Sequence, residues 1–102
     1  MENVTEEFEQ GNGLLNFKVY EGAISLFKKD LEKNPKNLAS YHNIGLAETY
    51  LGVDKKNIDI LKSAIEHLEK AIEIAKEINY KDGYLFAETN LKWAKAELEK
   101  LM

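Results

Sequence analysis

Apolar residues recur every three or four positions along almost the whole chain, and no convincing stretch alternates apolar with polar residues. This spacing is typical of amphipathic helices rather than strands. It predicts an all-α protein of about five helices, over residues 5–17, 20–33, 38–51, 58–78 and 84–101, in one domain covering 1–102. The fourth helix has the clearest apolar stripe, which comprises Leu61, Ala64, Ile65, Leu68, Ala71, Ile72 and Ala75.

The predicted helix ends coincide with residues that favour caps and turns. Thr5 and Asp82 are expected to cap the first and fifth helices. Pro35 stops the second helix, because the residue before a proline avoids the α conformation. Gly52 is expected to end the third helix and to leave 53–57 as a polar loop. Connections this short make neighbouring helices pack antiparallel, as a stack of helical hairpins.

Two glycines 34 residues apart, Gly11 and Gly45, indicate an internal repeat. Both are expected in the first helix of a hairpin, where a missing side chain lets the paired helix approach closely. The second helices repeat around Ala23 and Ala64, which are 41 residues apart, so the second repeat is longer by seven residues. Together with Pro35 after the first hairpin, this pattern resembles the tetratricopeptide repeat (TPR) family.

The resemblance covers essentially the whole chain, as two repeats plus a C-terminal capping helix, with features of the longer TPRs of about 40 residues. It implies a right-handed superhelical stack of antiparallel hairpins. Glu7 and Gln10 depart from the family's pattern, because they occupy slots for large apolar residues. Asp30 replaces a small alanine and is expected to reach solvent. Lys92 replaces the glycine of the last helix, which suits a terminal cap.

Composition and charge exclude several kinds of partner and site. Cysteine is absent, so no disulfide, thiolate metal site or cysteine nucleophile can form. All 14 basic residues are lysine and the net charge is -4, so a nucleic-acid partner is not expected. The acidic N-terminus has no apolar signal core, and no apolar stretch reaches the roughly 20 residues that span a bilayer. These features predict a cytoplasmic protein without a membrane partner.

The sequence offers little for catalysis. His42 and His67 are expected on different helices, and His67, beside Glu66, is expected on a solvated face. Neither a His-Glu-x-x-His motif nor a glycine-rich phosphate loop is present. Most glutamates fall in charge runs typical of a solvated helix face. We therefore expect no enzyme activity, no cofactor and no metal site.

TPR superhelices bind partners on the concave surface that the first helix of each hairpin lines. The resemblance therefore implies a partner-binding groove, and its slots in this chain are aromatic and asparagine-bearing: Phe8, Asn12, Leu15, His42, Asn43, Leu46, Tyr50, Phe86, Thr89, Asn90 and Trp93. Asparagine amides can pair with the backbone of an extended peptide, while aromatic rings supply apolar anchors.

A second interpretation buries some of these rings between the helices of a small protein. We expect burial for Phe8 and for Tyr41 of the third helix. Tyr50 and Trp93 fit the groove and the core equally well. The aromatic lining is therefore a prediction that depends on how the helices pack.

The residues in these slots also bear on the kind of partner. Chaperone-type TPRs that clamp a C-terminal carboxylate need lysine at the slot of Phe8 and basic residues at the slots of Phe86 and Asn90. This chain has none of these three cations. A carboxylate tail is therefore not the expected ligand. The sequence instead predicts a scaffold-like module that binds a protein or peptide segment. The alternative is a homo-oligomeric assembly protein, such as a homodimer, that buries its groove or the end of its stack against a second copy.

Overall fold

The computed structural model describes residues 4–102, so the first three residues of the predicted domain lie outside it. Five α-helices follow one another: α1 (Glu6–Asn16), α2 (Tyr20–Lys33), α3 (Leu38–Lys55), α4 (Ile58–Glu77) and α5 (Lys81–Leu101). Residues 4–102 contain no strand. The predicted all-α fold class with five helices is confirmed.

Polar side chains start three of these helices. Thr5 Oγ1 accepts a hydrogen bond from the Phe8 N–H at 3.0 Å, as predicted for an N-cap. The side chains of Asn37 and Asn57 cap α3 and α4 in the same way. These caps satisfy backbone N–H groups that have no partner within the first helical turn. They fix where α1, α3 and α4 begin.

The third helix runs past its predicted end. Gly52 does not stop α3, because it is buried within the helix, where an added Cβ would lie 2.7 Å from Leu61 Cγ on α4. The helix continues through Lys55 and ends at Lys56, which adopts a left-handed conformation with φ 50°. The polar loop predicted for 53–57 is therefore mostly helix.

The fifth helix begins three residues before its predicted start, at Lys81. The prediction that Asp82 caps it is wrong, because Tyr80 is the N-cap residue and Asp82 lies within the first turn. A carboxylate in the first turn still interacts favourably with the positive end of the helix dipole. The acidic residue thus favours the helix start without forming the cap.

Consecutive helices pack against one another, and the central helix α3 contacts α2, α4 and α5. Connections of two to four residues make the chain reverse direction between neighbours. The molecule is elongated, with extents of 43 × 28 × 19 Å, as expected for hairpins set side by side. Buried apolar residues form two clusters, one of Ala23, Ile24, Phe27, Ile44 and Ala47, and one of Ala64, Leu68 and Ala94.

The two repeat glycines lie where paired helices approach closely. An added Cβ at Gly11 would lie 2.8 Å from the Phe27 ring on α2. At Gly45 it would lie 2.5 Å from Leu68 Cγ on α4. Phe27 and Leu68 are 41 residues apart, which is the spacing between the second helices of the predicted repeats. Both hairpins therefore close through the same kind of contact.

Asp30 does not reach solvent, contrary to the prediction. Its carboxylate is fully buried and accepts four hydrogen bonds, from Thr5 Oγ1 (2.6 Å), Asn34 Nδ2 (3.2 Å), Asn37 Nδ2 (2.8 Å) and Ser40 Oγ (2.6 Å). We call these five residues the Asp30 cluster. Burial raises the pKa of Asp30, but the four hydrogen bonds outweigh it and hold the pKa below its ordinary value. The cluster joins α1, α2 and α3.

Candidate binding groove

Four of the predicted groove residues, from three helices, form a continuous row of hydrogen bonds. Asn43 Nδ2 on α3 donates to Asn12 Oδ1 on α1 at 3.0 Å. His42 Nδ1 lies 3.2 Å from Asn43 Oδ1, and Asn90 Nδ2 on α5 lies 2.7 Å from His42 Nε2. We call Asn12, Asn43, His42 and Asn90 the asparagine–histidine row. It joins the first helices of both predicted repeats to the last helix.

All three hydrogen bonds point the same way when His42 is neutral with its proton on Nδ1. Asn90 donates to Nε2, Nδ1–H donates to Asn43 Oδ1, and Asn43 donates onward to Asn12. Hydrogen bonds in such a chain polarise one another and strengthen the whole. Within residues 4–102, no hydrogen bond occupies Asn12 Nδ2 or Asn90 Oδ1. The row therefore offers a donor at one end and an acceptor at the other.

Burial lowers the pKa of His42, and the hydrogen bond to Asn43 offsets only part of this effect. A proton on Nε2 would also face the amide donor of Asn90. Because the folded-state pKa lies below that of the unfolded chain, the stability from the neutral ring is present above the ordinary histidine pKa of about 6.5. It is lost as the pH falls through the folded-state pKa.

We expect NMR titration of the His42 ring protons to show a midpoint below about pH 6.5. The side-chain amide signals of Asn90 should shift with the same midpoint, because protonation breaks their contact with Nε2. In the Asn90→Ala variant the midpoint should move up, since the opposing donor is gone and the ring is less buried. A wild-type midpoint at or above the ordinary value would contradict the neutral row.

Two concavities lie on opposite sides of Asn12 and Asn43, one nearer the start and one nearer the end of α1 and α3. One, of about 670 Å³, is lined by residues that include Phe8 on α1 and Ala39 on α3. The other, of about 1010 Å³, is lined by Leu15, Val19, Tyr20, Leu46, Tyr50 and Leu51, with the charged residues Lys18, Glu21 and Asp54. We call the second one the tyrosine groove. Asn12 and Asn43 lie between the two concavities, so the predicted groove residues of α1 and α3 follow one path.

Three aromatic rings meet beside the tyrosine groove. The rings of Tyr20 and Tyr50 stack at 5.2 Å between centroids, and Trp93 meets Tyr50 edge-on at 4.9 Å. Tyr50 is 41% exposed and Trp93 is half-buried, so these rings close the space between α3 and α5 and also present a surface. Sequence analysis missed Tyr20, because the second helix of a hairpin is not expected to line the groove. Its position at the start of α2, next to a short connection, was the available signal.

The other predicted aromatic residues lie apart from the row. Phe8 is half-buried and packs on Phe27, with ring centroids 5.7 Å apart, and Tyr41 is half-buried against His67. Phe86 is 67% exposed and lies about one helical turn before Asn90 on α5. Phe8 thus contributes mainly to the core, while Phe86 presents its ring to solvent.

A second buried carboxylate, Glu48, joins α3 to α4. Ser63 Oγ donates to Glu48 Oε2 at 2.7 Å, and His67 Nδ1 lies 2.6 Å from Oε1. The prediction that His67 lies on a solvated face is therefore wrong, since its side chain is only 23% exposed. Although a serine, a histidine and a glutamate meet here, the serine proton is directed at the carboxylate, and His67 Nδ1 already bonds to Glu48. Ser63 Oγ also lies 3.4 Å from His67 Nδ1, so the three side chains form one polar contact between α3 and α4.

No protein-family model, curated protein or solved structure matches the chain. Within residues 4–102, no three histidine, aspartate or glutamate side chains are grouped so that they could hold a metal ion. No helix in that part of the chain combines the length and the hydropathy of a membrane-spanning segment. The row and its two concavities are therefore the features on which a functional proposal rests.

Proposed function

We propose that this chain is a TPR-like interaction module that binds an extended protein or peptide segment across the asparagine–histidine row. The observation that carries the proposal is a single hydrogen-bonded row built from groove residues of α1, α3 and α5. Its unused polar atoms, Asn12 Nδ2 and Asn90 Oδ1, can pair with the carbonyl and N–H groups of an extended backbone. The matching closure of both hairpins at Gly11 and Gly45 supports the TPR-like part of the proposal.

The two concavities set the spacing of side chains in the proposed partner. Phe8 and Leu15 are seven residues apart on α1, which corresponds to roughly 10 Å along the helix. An extended segment advances about 3.3 Å per residue, and its side chains alternate between two faces. Two side chains on the same face and four positions apart are about 13 Å apart. They can enter both concavities, because the linings extend past Phe8 to Val4 and past Leu15 to Val19, and the intervening backbone then lies on the asparagines.

The charges around the path support a partner that is uncharged at its centre. His42 is the only ionisable member of the row, and burial lowers its pKa. Two lysines line the concavity at Phe8, but Lys33 pairs with Glu7 and Lys36 pairs with Glu77, each at 2.9 Å. Within residues 4–102, a carboxylate tail would therefore find no unpaired cation at the Phe8 end of this path.

The proposal includes no catalytic role, cofactor or metal ion. With a net charge of -4 and no arginine, the chain suits another protein as its partner better than a nucleic acid or an anionic membrane. The proposed location is the cytoplasm. The proposed activity is binding of a protein segment, in a scaffold-like role.

Selection of a phage-displayed peptide library on the immobilised protein tests the proposed function. We expect the selected peptides to share two apolar residues about four positions apart. A variant with Asn12→Ala and Asn90→Ala should bind them about tenfold more weakly, because each lost hydrogen bond contributes about 0.5–1.5 kcal/mol. Fluorescence polarisation with a labelled peptide measures the dissociation constant.

The matched control carries Lys62→Ala and Glu66→Ala, two exposed positions on α4. Circular dichroism establishes that both double variants remain helical. Equal affinities for the wild type, the row variant and the control would remove the row from the binding surface. Binding that disappears when the peptide's C-terminus is amidated would instead indicate a carboxylate clamp.

A further inference from the structure

The connection between α1 and α2 carries the most exposed large apolar side chain of residues 4–102. Phe17 is 83% exposed, and its neighbour Val19 is 47% exposed. Residues on both sides of Phe17 line the tyrosine groove, whereas Phe17 itself lines neither concavity. A protruding phenyl ring therefore stands directly beside an apolar depression on one part of the surface.

The tyrosine groove combines an apolar lining with charged side chains that have no ion-pair partner within residues 4–102. Its rings are those of Tyr20 and Tyr50, and its charged residues are Lys18, Glu21 and Asp54. In the described part of the chain, none of these three forms an ion pair. Lys18 follows Phe17 directly, so one short segment carries both an apolar ring and a cation. That segment matches the groove in polarity and in charge.

We infer that this surface binds a second copy of the chain in a two-fold symmetric dimer, with Phe17 of each copy in the tyrosine groove of the other. In a two-fold interface the same patch serves both copies, so one rotation fills both depressions with both protrusions. Lys18 then faces Asp54 of the other copy, and the reciprocal pair forms at the same interface. Charge complementarity of this kind favours one orientation of the two copies.

This dimer goes beyond the proposed function, because it needs neither the asparagine–histidine row nor a peptide. It would cover Leu15, Leu46 and Tyr50, which form one end of the proposed peptide path. Peptide binding and dimerisation therefore compete. A peptide-binding protein that stays monomeric would overturn the dimer alone. A protein that dimerises, yet binds no peptide at concentrations where it is monomeric, would overturn the proposed function alone.

Sedimentation velocity of the full chain, from low micromolar to near-millimolar concentration, tests the dimer. We expect a dimer whose fraction rises with concentration. Phe17→Ala removes an exposed ring and should weaken dimerisation at least tenfold without altering the fold. The matched control is Ile78→Ala, which removes another apolar side chain that is 59% exposed, at the α4–α5 connection. A monomer at every concentration, or a dimer that Phe17→Ala leaves intact, overturns the inference.

Charge reversal distinguishes the proposed interface from non-specific apolar association. Lys18→Glu and Asp54→Lys should each weaken dimerisation, because each variant sets like charges opposite one another in both halves of the interface. Mixed in equal amounts, the two variants should form a heterodimer. The new glutamate of one chain then faces the new lysine of the other, while the native Lys18 and Asp54 form the second pair. If the mixture dimerises no better than either variant alone, this interface is wrong.

Discussion

Replacing Asp30 with alanine is expected to lower the free energy of unfolding by about 3–5 kcal/mol. The melting temperature should then fall by more than about 10 °C. The carboxylate is fully buried and accepts hydrogen bonds from four side chains. Without it, the fully buried hydroxyl of Ser40 loses the acceptor that lies 2.6 Å away. An unpaired buried polar group alone costs about 1–3 kcal/mol.

Thermal and urea unfolding followed by circular dichroism measure this loss, and its dependence on pH gives an independent check. The hydrogen bonds hold the pKa of Asp30 below its ordinary value despite burial. Its contribution is therefore fully present above the unfolded-state pKa of about 3.9 and is lost as the pH falls through the folded-state pKa. The difference in stability between the wild type and Asp30→Ala should accordingly shrink in acid.

Two further variants separate the Asp30 cluster from a general effect of charge. Glu32→Ala removes an exposed carboxylate from the same helix and should change the stability by less than about 0.5 kcal/mol. Asp30→Asn keeps the size of the side chain but turns one acceptor into a donor that faces donors, so its loss should be intermediate. An Asp30→Ala variant as stable as Glu32→Ala would show that the cluster does not hold the fold together.

Gly45→Ala is expected to destabilise the protein by about 1–3 kcal/mol, even though alanine is the better helix former. The added Cβ would lie 2.5 Å from Leu68 Cγ and 3.1 Å from the carbonyl oxygen of Ala64. The leucine side chain can shift, but the carbonyl belongs to the α4 backbone. The substitution therefore pushes α3 and α4 apart, and urea unfolding measures the cost.

Gly13→Ala is the matched control, because it makes the same chemical change within a helix where space is open. Nothing lies within 4 Å of an added Cβ at Gly13. We expect this variant to gain about 0.5–1 kcal/mol from helix propensity. Combining Gly45→Ala with Leu68→Ala should cost less than the sum of the two single losses, since the second change removes the clashing atoms. If Gly45→Ala were also stabilising, the close approach of α3 and α4 would be contradicted.

Helix positions could be predicted from the sequence because each helix keeps one face against a core. The inner residues predicted for α5, Ala87 and Ala94, are fully buried, and Leu91 and Leu98 are half-buried. Gly52 could not be recognised as a packing residue, because the contact that explains it is with Leu61 on the next helix. Periodicity describes one helix at a time and carries no information on where two backbones touch.

The polar contacts between helices were beyond sequence reasoning for the same reason. Asp30 is buried because its donors include Thr5 from α1 and Ser40 from α3, which periodicity along α2 does not reveal. Asn12 and Asn43 were predicted as groove residues because they occupy equivalent positions in the two predicted repeats. That these two amides bond to each other depends on the register between α1 and α3, which packing sets.

The Asp30 cluster also affects the order in which the amino-terminal helices unfold. Helices at the end of a stack ordinarily unfold first, because they pack against only one neighbouring helix. Thr5, the N-cap of α1, donates to a carboxylate that Ser40 of α3 shares. When α1 detaches, the Asp30 carboxylate loses the hydrogen bond from Thr5 and becomes exposed to water. The hydrogen bond between Asp30 on α2 and Ser40 on α3 is then weaker, because water competes for it. We therefore expect the first three helices to unfold together, rather than α1 to detach alone before the others.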